Sequence, residues 1–439
     1  MKVLHVPFGF YPDPPGGTEV YVAGLAAELQ ARGVDVVVAA PGRCEQAYTH
    51  AGLAVRRFAL AADVRDPREL YGEGDPRAAA SFARFLDQER PDIVHLHAFT
   101  RGVSLRVARA ARRFGSRVVF TYHTPSVSCQ RGSLVRWGVE ACHGLLDTRS
   151  CAGCSLHGLG LSAPASALLG NLPPVVGRAL GSVGLAGGAW TALRMPDLVQ
   201  TRHDAVRRLL SEVDHIVAVC GWVRDLLLRN GVPGGRISVS RHGLTGVHPP
   251  VRQRPTTGQP PRIAYLGRLD PLKGPDVLVR AVRQLPDTNL RLDLYAVGQD
   301  AAGEQYAARL RALAAGDTRI AFRSAIANEQ VVSTLAGYDL LAVPSQGLET
   351  GPLVVLEAFA AGVPVVGSQL GGIRETVTHD LDGWLVEDSS PTAWAQALRE
   401  LLEHPDQLAR LRAGVRPPRR MREVADDMLA VYAALGGQV

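Results

Sequence analysis

Two basic residues stand close together in the stretch GRLDPLKG, residues 267–274: Arg268 and Lys273. An arginine guanidinium can hold two phosphate oxygens at once, and a lysine ammonium supplies a compact positive charge. The chain has only one other lysine, Lys2, and uses arginine for every other positive side chain of this kind. This scarcity makes generic surface charge a poor explanation of Lys273. The stretch therefore predicts a binding site for a diphosphate group.

Two carboxylates follow in SQGLETGPLVVLEAFAAGVPVVGS, residues 345–368. Glu349 stands in a glycine-rich loop, and Glu357 stands eight residues later in a helix that should begin near Pro352. Amides at that helix N-terminus suit a phosphate, while Glu357, about a turn inside, suits the vicinal hydroxyls of a ribose or sugar. Two carboxylates alone are weak evidence, but their combination with a glycine loop after a strand predicts a ligand site.

The elements that must position these residues are short apolar runs alternating with helical patterns, such as residues 17–33. This alternation predicts α/β domains with parallel sheets, which bind ligands at the carboxyl ends of their strands. The prolines and polar residues of 249–261 predict a linker. We therefore expect an N-terminal domain at 1–248, a second domain at 262–420 and a terminal helix at 421–439 that packs back on the first domain. The expected strands lie in the runs 2–8, 34–41, 91–99, 116–123, 214–220, 235–243, 262–268, 290–298, 318–324, 339–345 and 363–368.

Composition fits a globular protein of two domains, with 439 residues, 46% hydrophobic and 21% charged. The first apolar run is broken by prolines from Pro7 onward, so we expect no signal peptide. Arg178 and several prolines interrupt the longest weakly charged stretch, so we expect no membrane-spanning helix. The net charge is +6. Part of it lies between Asp92 and Glu140, where no acid accompanies eight arginines at 101, 106, 109, 112, 113, 117, 131 and 136.

That arginine stretch has two interpretations. It would attract phosphates or anionic lipid headgroups if the side chains shared an open surface. It would be an ordinary solvated helix face if they did not. We expect a protein that works in the cytoplasm, either free or peripheral at the inner face of a membrane, with no nucleic-acid partner.

The motifs of the second half resemble those of the retaining glycosyltransferases of family 4. The pattern G-R-x-D-x-x-K-G is followed by S-x-x-x-E-x-x-P-L-V-V-L-E-A-x-A-A-G-x-P-V-V and then by G-G-I-x-E. The similarity covers nearly the whole chain and is densest from 262 to 390. It implies the GT-B fold, in which two Rossmann-like domains face each other across a cleft, and an enzyme that takes its sugar from a nucleotide diphosphate.

The resemblance also implies roles for individual residues. Arg268 and Lys273 would bind the diphosphate and stabilise the departing nucleotide in place of a metal ion. Glu349 would contact the hydroxyls of the transferred sugar, and Glu357 would hold the ribose. The backbone of Gly351, Pro352 and Leu353 would complete the contacts to that sugar.

In the first half the resemblance assigns two positions. Gly16 and Gly17, in PPGGTEVYV, would form a loop that approaches the donor phosphate and the acceptor, because glycine lets backbone come close to an anion. His123, in FTYHT, matches a family histidine at a strand end that faces the donor sugar. Taken without the resemblance, a glycine pair that opens a helix is commonly a turn, and a single histidine is commonly packed. We assign His95 and His97 a structural role.

The chain departs from the family pattern at three places: His242-Gly243, where Asn-Gly is frequent, Gly298-Gln299-Asp300, where G-x-G is frequent, and Phe322-Arg323-Ser324, where F-x-G is frequent. The last two lie near the expected site of the base, so they leave the donor nucleotide open. Asp380-Leu381-Asp382 has the letters of a D-x-D metal motif, but it lies in a polar turn, and we assign no metal to the active site.

Four of the six cysteines fall in one insert at about 125–200: Cys129, Cys142, Cys151 and Cys154. Such a set can hold a structural zinc ion that stabilises an irregular segment. Reduced thiols without a ligand, or a redox pair, are the alternatives.

These observations together predict a retaining glycosyltransferase that moves a sugar from a nucleotide diphosphate to a hydroxyl acceptor, with no required cofactor. The acceptor could be a glycan, a small molecule, or a lipid-linked or phosphorylated compound, and the setting polysaccharide or glycoconjugate biosynthesis. The alternatives are a nucleotide-sugar-binding protein without turnover and a GT-B sugar-nucleotide epimerase.

Overall fold

The computed structural model describes residues 1–63, 66–246, 259–297 and 301–436. The chain forms two compact units, Met1–Arg241 with Met421–Val439, and His242–Arg420. The boundary thus falls between Arg241 and His242 rather than after residue 248. Most of the predicted linker at 249–261 lies outside the described residues, as does Gly298-Gln299-Asp300.

The described part of the first unit contains an eight-stranded sheet with the order β10-β9-β6-β5-β1-β2-β4-β3. All neighbours are parallel except β3 and β4, which form an antiparallel hairpin that the sequence analysis missed. The central strands are almost fully buried, as expected for their continuous apolar runs. The strands of this unit are Lys2–Val6 (β1), Asp35–Gly42 (β2), Gln46–His50 (β3), Leu53–Ala59 (β4), Ile93–Leu96 (β5), Arg117–Tyr122 (β6), Val135–Arg136 (β7), Glu140–Ala141 (β8), His215–Ala218 (β9) and Ile237–Val239 (β10).

Helices of this unit begin where the sequence supplies local signals. Asp75 accepts hydrogen bonds from the amides of Arg77 and Ala78, and Pro76 occupies the first helical position of α3. Asp147 caps α5 in the same way. The helices are Gly17–Gln30 (α1), Pro67–Tyr71 (α2), Pro76–Glu89 (α3), Leu105–Phe114 (α4), Thr148–Gly158 (α5), Ala163–Gly170 (α6), Pro174–Ser182 (α7), Gly188–Glu212 (α8) and Gly221–Arg229 (α9).

The insert at 125–200 is more regular than the sequence suggested. After the short hairpin of β7 and β8, it consists of α5, α6, α7 and the first half of α8. A small cluster of Ala152, Leu156, Met195 and Val199 joins α5 to α8. The insert therefore has an apolar core of its own, and it does not need a metal ion to supply all of its stability.

The described part of the second unit contains a six-stranded parallel sheet with the order β13-β12-β11-β14-β15-β16. Its core is made of apolar residues from these strands and from α10, α11 and α15. The strands are Arg262–Arg268 (β11), Arg291–Val297 (β12), Ile320–Arg323 (β13), Leu340–Val343 (β14), Val365–Ser368 (β15) and Gly383–Val386 (β16). The helices are Pro275–Arg283 (α10), Ala301–Ala314 (α11), Val331–Leu335 (α12), Leu353–Ala360 (α13), Gly371–Thr376 (α14), Pro391–Glu403 (α15) and Pro405–Gly414 (α16).

The last helix, Met421–Ala434 (α17), returns to the first unit. Met421, Val424, Met428 and Tyr432 are buried in one cluster with residues of α1, β1 and β2. Each apolar run predicted as a strand contains an observed strand, and the strands that were not predicted are β3, β4, β7, β8 and β16. Among the described residues, no helix is both long and apolar enough to cross a membrane.

Candidate active site

The side chains of Lys273 and Glu349 meet in the second unit. Lys273 Nζ lies 2.6 Å from Glu349 Oε1, and Ser345 Oγ donates to the same oxygen at 2.8 Å. Lys273 follows β11 and Glu349 follows β14, the two central strands from which the sheet extends in opposite directions. Ligands of open parallel sheets bind at this switch point, outside the carboxyl ends of the strands. An ammonium and a carboxylate are thus adjacent at the place where open parallel sheets bind ligands.

Backbone contacts join the loop that carries Lys273 to the loop that carries Glu349. The amide of Gln346 donates to the carbonyl of Leu272 at 2.8 Å. Gly274 has a φ of +67°, and a Cβ there would lie 1.9 Å from the carbonyl oxygen of Pro344. A side chain at residue 274 would therefore push the loops apart. Gly274, the last residue of GRLDPLKG, is therefore needed for Lys273 to reach Glu349.

The loop after Glu349 is held from two further sides. Gly372 donates its amide hydrogen to the carbonyl of Glu349 at 2.6 Å, and a Cβ on Gly371 would lie 2.6 Å from that same carbonyl oxygen. On the other side, His242 donates its Nδ1 hydrogen to the carbonyl of Gly351 at 2.8 Å. Burial lowers the pKa of His242, so the ring is neutral at pH 7. The departure from Asn-Gly at His242 thus affects the support of the loop after Glu349.

Arg268 ends β11 on the same edge of the sheet. Its side chain is about half exposed, and its nearest carboxylate is that of Asp270 at 4.0 Å. The carbonyl of Arg268 accepts a hydrogen bond from Tyr265 at 3.0 Å, which fixes the backbone from which the guanidinium extends. Arg268 precedes Lys273 by five residues at the end of β11, and its role as a second phosphate ligand stays a prediction.

Helix α13 begins as expected, with Pro352 at the N-cap and Leu353 as the first helical residue. Gly351, just before it, has a φ of +136°, which glycine adopts readily. Glu357 lies one turn into the helix and is buried, and burial raises the pKa of its carboxyl to about 7. A buried carboxyl of this kind has a large capacity to accept hydrogen bonds from a ligand that brings hydroxyl donors.

In the first unit, Gly16 and Gly17 form the start of α1. Gly16 is the N-cap, and its amide donates to Glu19 Oε2 at 2.8 Å. The loop follows β1, which lies between β5 and β2, so it too stands at a switch point of its sheet. Glu19 already accepts the hydrogen bond of the Gly16 amide, which is one of the donors that an anion at this helix start would use. The approach of a phosphate to this loop stays a prediction.

His123 directly follows β6 and is buried. Its ring packs edge-on against Tyr21 of α1, with the ring centroids 4.7 Å apart, and this contact brings it beside the helix that Gly17 begins. His123 Nε2 lies 3.0 Å from His97 Nδ1, and His97 Nε2 lies 2.9 Å from His5 Nδ1. The sequence analysis did not find this chain of rings. The H-x-H spacing at 95 and 97, which puts both side chains on one face of β5, was the available signal.

The four cysteines of the insert come from the turn after β6, the end of β8 and α5. The Sγ of Cys154 accepts hydrogen bonds from Arg131 Nη1 and from the Trp137 amide, and the Sγ of Cys142 accepts one from the Gly144 amide, all at 3.4 Å. Burial, helped by the neighbouring thiols, raises the pKa of Cys151 to about 12. No three of the described sulfurs lie mutually within 4.8 Å.

Half of the eight arginines of 101–136 form ion pairs with carboxylates in the described structure. Arg109 forms a two-pronged ion pair with Glu212, at 2.8 and 2.7 Å, and also contacts Glu73 at 2.9 Å. Arg106 and Arg117 likewise pair with carboxylates that lie far away in the sequence. These contacts favour the interpretation of a solvated helix face.

Within the second unit the structure brings together Lys273, Glu349 and the start of α13, and within the first unit it brings together His123 and α1. The sequence analysis gave no role to Ser345, and it placed His242 outside the site. Ser345 contacts Glu349 at a spacing of four residues, which was an available signal, whereas the bond of His242 to the Gly351 carbonyl spans 109 residues and leaves no mark in residue spacing.

Comparison with known proteins adds two family matches. Residues 16–243 match the family described as glycosyl transferase 4-like domain, and residues 251–416 match glycosyl transferases group 1. A D-inositol 3-phosphate glycosyltransferase of Xylanimonas cellulosilytica is 32% identical over 435 residues, covering 95% of this chain and 91% of that protein. The enzyme of the same name from Rhodococcus jostii is 29% identical over 415 residues, covering 91% and 79%.

Solved structures share the fold at lower identity. HepE of Anabaena in complex with UDP and glucose has a TM-score of 0.64 at 15% identity, covering 99% of both chains. Sucrose-phosphate synthase from Thermosynechococcus elongatus has a TM-score of 0.65 at 18% identity, also covering 99% of both. The predictions of an α/β protein of the GT-B class and of a glycosyltransferase are confirmed. This chain belongs to the group 1 glycosyl transferases and is a retaining, family 4-like glycosyltransferase that uses a nucleotide-sugar donor.

Proposed function

We propose that this enzyme transfers a sugar from a uridine diphosphate donor to a hydroxyl of an acceptor that carries a phosphate. The Lys273–Glu349 pair carries the proposal for the donor, since it places a phosphate ligand beside a hydroxyl ligand at one sheet edge. Uridine is the choice because HepE, which shares the fold, was solved with UDP. The acceptor class is suggested by the relatives named for D-inositol 3-phosphate.

The chemistry follows from the groups present. Lysine has three N–H donors, so Lys273 can keep its contact with Glu349 while it binds a phosphate oxygen. As the bond between the sugar and the phosphate breaks, negative charge grows on the diphosphate, and Lys273 and Arg268 stabilise it. The same phosphate can take the proton of the acceptor hydroxyl on the face where the leaving group departs. Glu349 would hold the hydroxyls of the transferred sugar and Glu357 those of the ribose.

A lipid surface is the weaker partner for this enzyme. The arginines that would attract anionic headgroups include Arg106, Arg109 and Arg117, and each of these pairs with a carboxylate. Peripheral membrane contact predicts binding to anionic vesicles that weakens on charge reversal of these residues. Unchanged vesicle binding in such variants would remove them from any membrane role.

Titration calorimetry with UDP, GDP and ADP tests the donor site, with and without EDTA. We expect selective binding of UDP that survives EDTA and weakens at least tenfold in Lys273→Ala, about 1.4 kcal/mol. Lys2→Ala is the matched control, because Lys2 is the other lysine and pairs with Glu89 at 2.7 Å in the first unit. Binding that is equal in wild type and Lys273→Ala would contradict the proposed site.

Transfer is tested by incubating UDP-sugars with inositol 3-phosphate and with unphosphorylated inositol. We expect product only with the phosphorylated acceptor, and its anomeric configuration should be that of the donor. Tight UDP-sugar binding with neither transfer nor hydrolysis would favour the alternative of a nucleotide-sugar-binding protein. Conversion of the free nucleotide sugar to its epimer would favour the epimerase.

The insert supports a second, separate proposal: the four cysteines bind a structural zinc ion. The N–H groups that point at the sulfurs of Cys142 and Cys154 would stabilise the thiolate state that zinc requires. Binding would require the four side chains to move closer together, because their sulfurs are farther apart than in a zinc site. Metal analysis of the purified protein tests this, with about one equivalent of zinc expected, and less than about half an equivalent would contradict it.

A further inference from the structure

One face of the first sheet carries an unusual set of polar side chains. His5 of β1 is paired in register with His95 of β5, and Thr121 lies on the neighbouring strand β6. Because side chains two residues apart share a face of a strand, His97 lies on the face of His95, and His123 on that of Thr121. All five side chains are buried. The four imidazoles therefore stand in one layer at the carboxyl ends of three adjacent strands.

Three of the rings form a hydrogen-bonded chain that ends at the proposed donor-sugar histidine. His5 Nδ1 lies 2.9 Å from His97 Nε2, and His97 Nδ1 lies 3.0 Å from His123 Nε2. His95 stands beside this chain and stacks on His97, with the ring centroids 4.1 Å apart. Both nitrogens of His95 bind hydroxyls, those of Tyr432 at 2.7 Å and of Thr121 at 2.6 Å.

Burial keeps the rings of His5, His95 and His97 neutral. It lowers the pKa of His5 to about 3, and burial together with the neighbouring imidazoles lowers the pKa of His95 and His97 well below the usual value. A neutral imidazole has one N–H and one lone pair, so each link of the chain has one donor and one acceptor. The direction of the first link then fixes the direction of the second.

His5, at the end of the hydrogen-bonded series away from His123, sets that direction. His5 Nε2 is buried and has no hydrogen-bond partner among the described residues. An unpaired N–H in a protein interior is rarer than an unpaired acceptor. The proton of His5 therefore lies on Nδ1 and is donated to His97 Nε2. His97 must then carry its own proton on Nδ1 and donate it to His123 Nε2.

We infer that His97 and His5 are positioning residues that hold His123 in the tautomer with its proton on Nδ1. The inference rests on the proposed role of His123 at the donor sugar. In this tautomer Nε2 is already an acceptor, so it is not the nitrogen that takes a proton from a ligand. His123 acts on the reaction as a hydrogen-bond donor through Nδ1.

A metal ion is the competing interpretation, because the nitrogens of His5, His95 and His97 all lie within 4.8 Å of one another. Both nitrogens of His95 and both of His97 already have partners in the described structure. A metal ion bound by all three rings would have to break at least one hydrogen bond of His95 and one of His97. The hydrogen-bonded chain needs no such rearrangement, so we favour it.

Nitrogen NMR of protein labelled at the histidine rings reads the tautomers directly, because protonated, unprotonated and metal-bound ring nitrogens differ in shift. Single His→Asn variants assign the signals. We expect His5 and His97 to be protonated at Nδ1, and His123 to be unprotonated at Nε2. Protonation of His123 at Nε2, or metal-type shifts at two or more of these rings, would overturn the inference.

Two substitutions of His97 separate positioning from mere packing. His97→Asn places an amide donor near the position of Nδ1, whereas His97→Gln places its amide near Nε2 and leaves His123 without its donor. We expect His97→Asn to keep kcat within about threefold of wild type and His97→Gln to lose about tenfold, the effect of one hydrogen bond. KM for the donor should stay unchanged, and melting temperatures measured in parallel should be similar for the two variants.

Equal kcat values for the two variants would overturn the positioning role, whatever their stability. The His123 tautomer should be retained in His97→Asn and should become mixed in His97→Gln, which is a readout that does not depend on turnover. If the wild-type protein transfers no sugar to any acceptor, the proposed function fails. The nitrogen spectrum still supports or overturns the tautomer in that case.

Discussion

The ammonium of Lys273 lies 2.6 Å from a carboxylate oxygen of Glu349, although 76 residues separate them in the chain. The pair is partly shielded from solvent, and Ser345 donates to the same carboxylate oxygen. A donor that brings a diphosphate offers Lys273 a second negative partner, and a sugar offers Glu349 hydroxyl donors. The ion pair thus holds both side chains in the positions that the proposed binding requires.

Glu349→Gln should separate binding from turnover. The amide keeps the shape of the side chain but removes the negative charge that balances Lys273. The Lys273 ammonium then has no competing carboxylate at residue 349 when it binds a phosphate. We expect UDP affinity to be unchanged or higher and kcat to fall by roughly 100-fold. Glu329→Gln, at an exposed position of the same unit, is the control. A matching loss of UDP affinity in Glu349→Gln would show that the carboxylate does not act on the sugar.

Glu357 should make folding stability depend on pH. Its pKa is about 7 in the folded protein, against 4.5 for a glutamate exposed to water, as in the unfolded chain. The folded state therefore binds more protons than the unfolded state between these pH values. Stability from this group is therefore full below pH 4.5 and is lost as the pH rises toward 7. Relative to wild type, Glu357→Gln should gain about 3 kcal/mol between pH 4 and pH 8. Denaturation of both proteins at the two pH values measures this, and a constant difference would contradict the raised pKa.

The same carboxyl should couple UDP binding to pH. Ribose hydroxyls donate to the ionised form, so wild-type affinity for UDP should rise as the pH increases through 7. In Glu357→Gln this rise should be absent, because the amide does not titrate. Calorimetry at pH 6 and pH 8 compares the two proteins. An equal rise in both would place its origin in another group, such as the phosphates of UDP.

His242 should be replaceable by asparagine but not by alanine. Its Nδ1 hydrogen supports the carbonyl of Gly351 at 2.8 Å, and the amide of asparagine can donate from nearly the same position. We expect His242→Asn to bind UDP like wild type, and His242→Ala to bind it about tenfold more weakly, since the loop loses one buried hydrogen bond. Equal affinity in the two variants would show that this bond does not support the site.

Gly274→Ala should disrupt the donor site through a steric clash. A Cβ there would lie 1.9 Å from the carbonyl oxygen of Pro344, and φ is +67°. Gly316→Ala is the matched control, because Gly316 lies in the same unit with a φ of +84° and open space around its Cα. The control should cost about 1 kcal/mol of stability from strain alone. Gly274→Ala should cost more and should abolish detectable UDP binding, and similar effects of the two changes would contradict the clash.

The second unit was the more predictable from sequence, because its functional residues lie in strand-end loops with short, characteristic spacings. Lys273, Glu349 and Glu357 each follow a recognisable strand or glycine loop, and both sheets follow from the alternation of apolar runs. The hairpin of β3 and β4 escaped prediction because its residues are largely polar and exposed on β3. Local pattern carries little signal for such an edge strand.

The side-chain network of the first unit could not be predicted because it depends on strand order. His5 and His97 are 92 residues apart, and only the pairing of β1 with β5 brings them together. The arginine stretch was ambiguous for a related reason. Arg109 pairs with Glu73 and Glu212, and both glutamates lie far from it in the sequence. Charge counted along the sequence omits partners that arrive through the fold.

The return of α17 to the first unit has a consequence for biosynthesis. Tyr432 is buried in the core of that unit and binds His95, yet it is synthesised only after the whole second unit. The N-terminal unit therefore emerges with an open apolar surface that stays uncovered while the whole second unit is translated. A nascent chain stopped before residue 421 would therefore leave the apolar residues that α17 covers exposed.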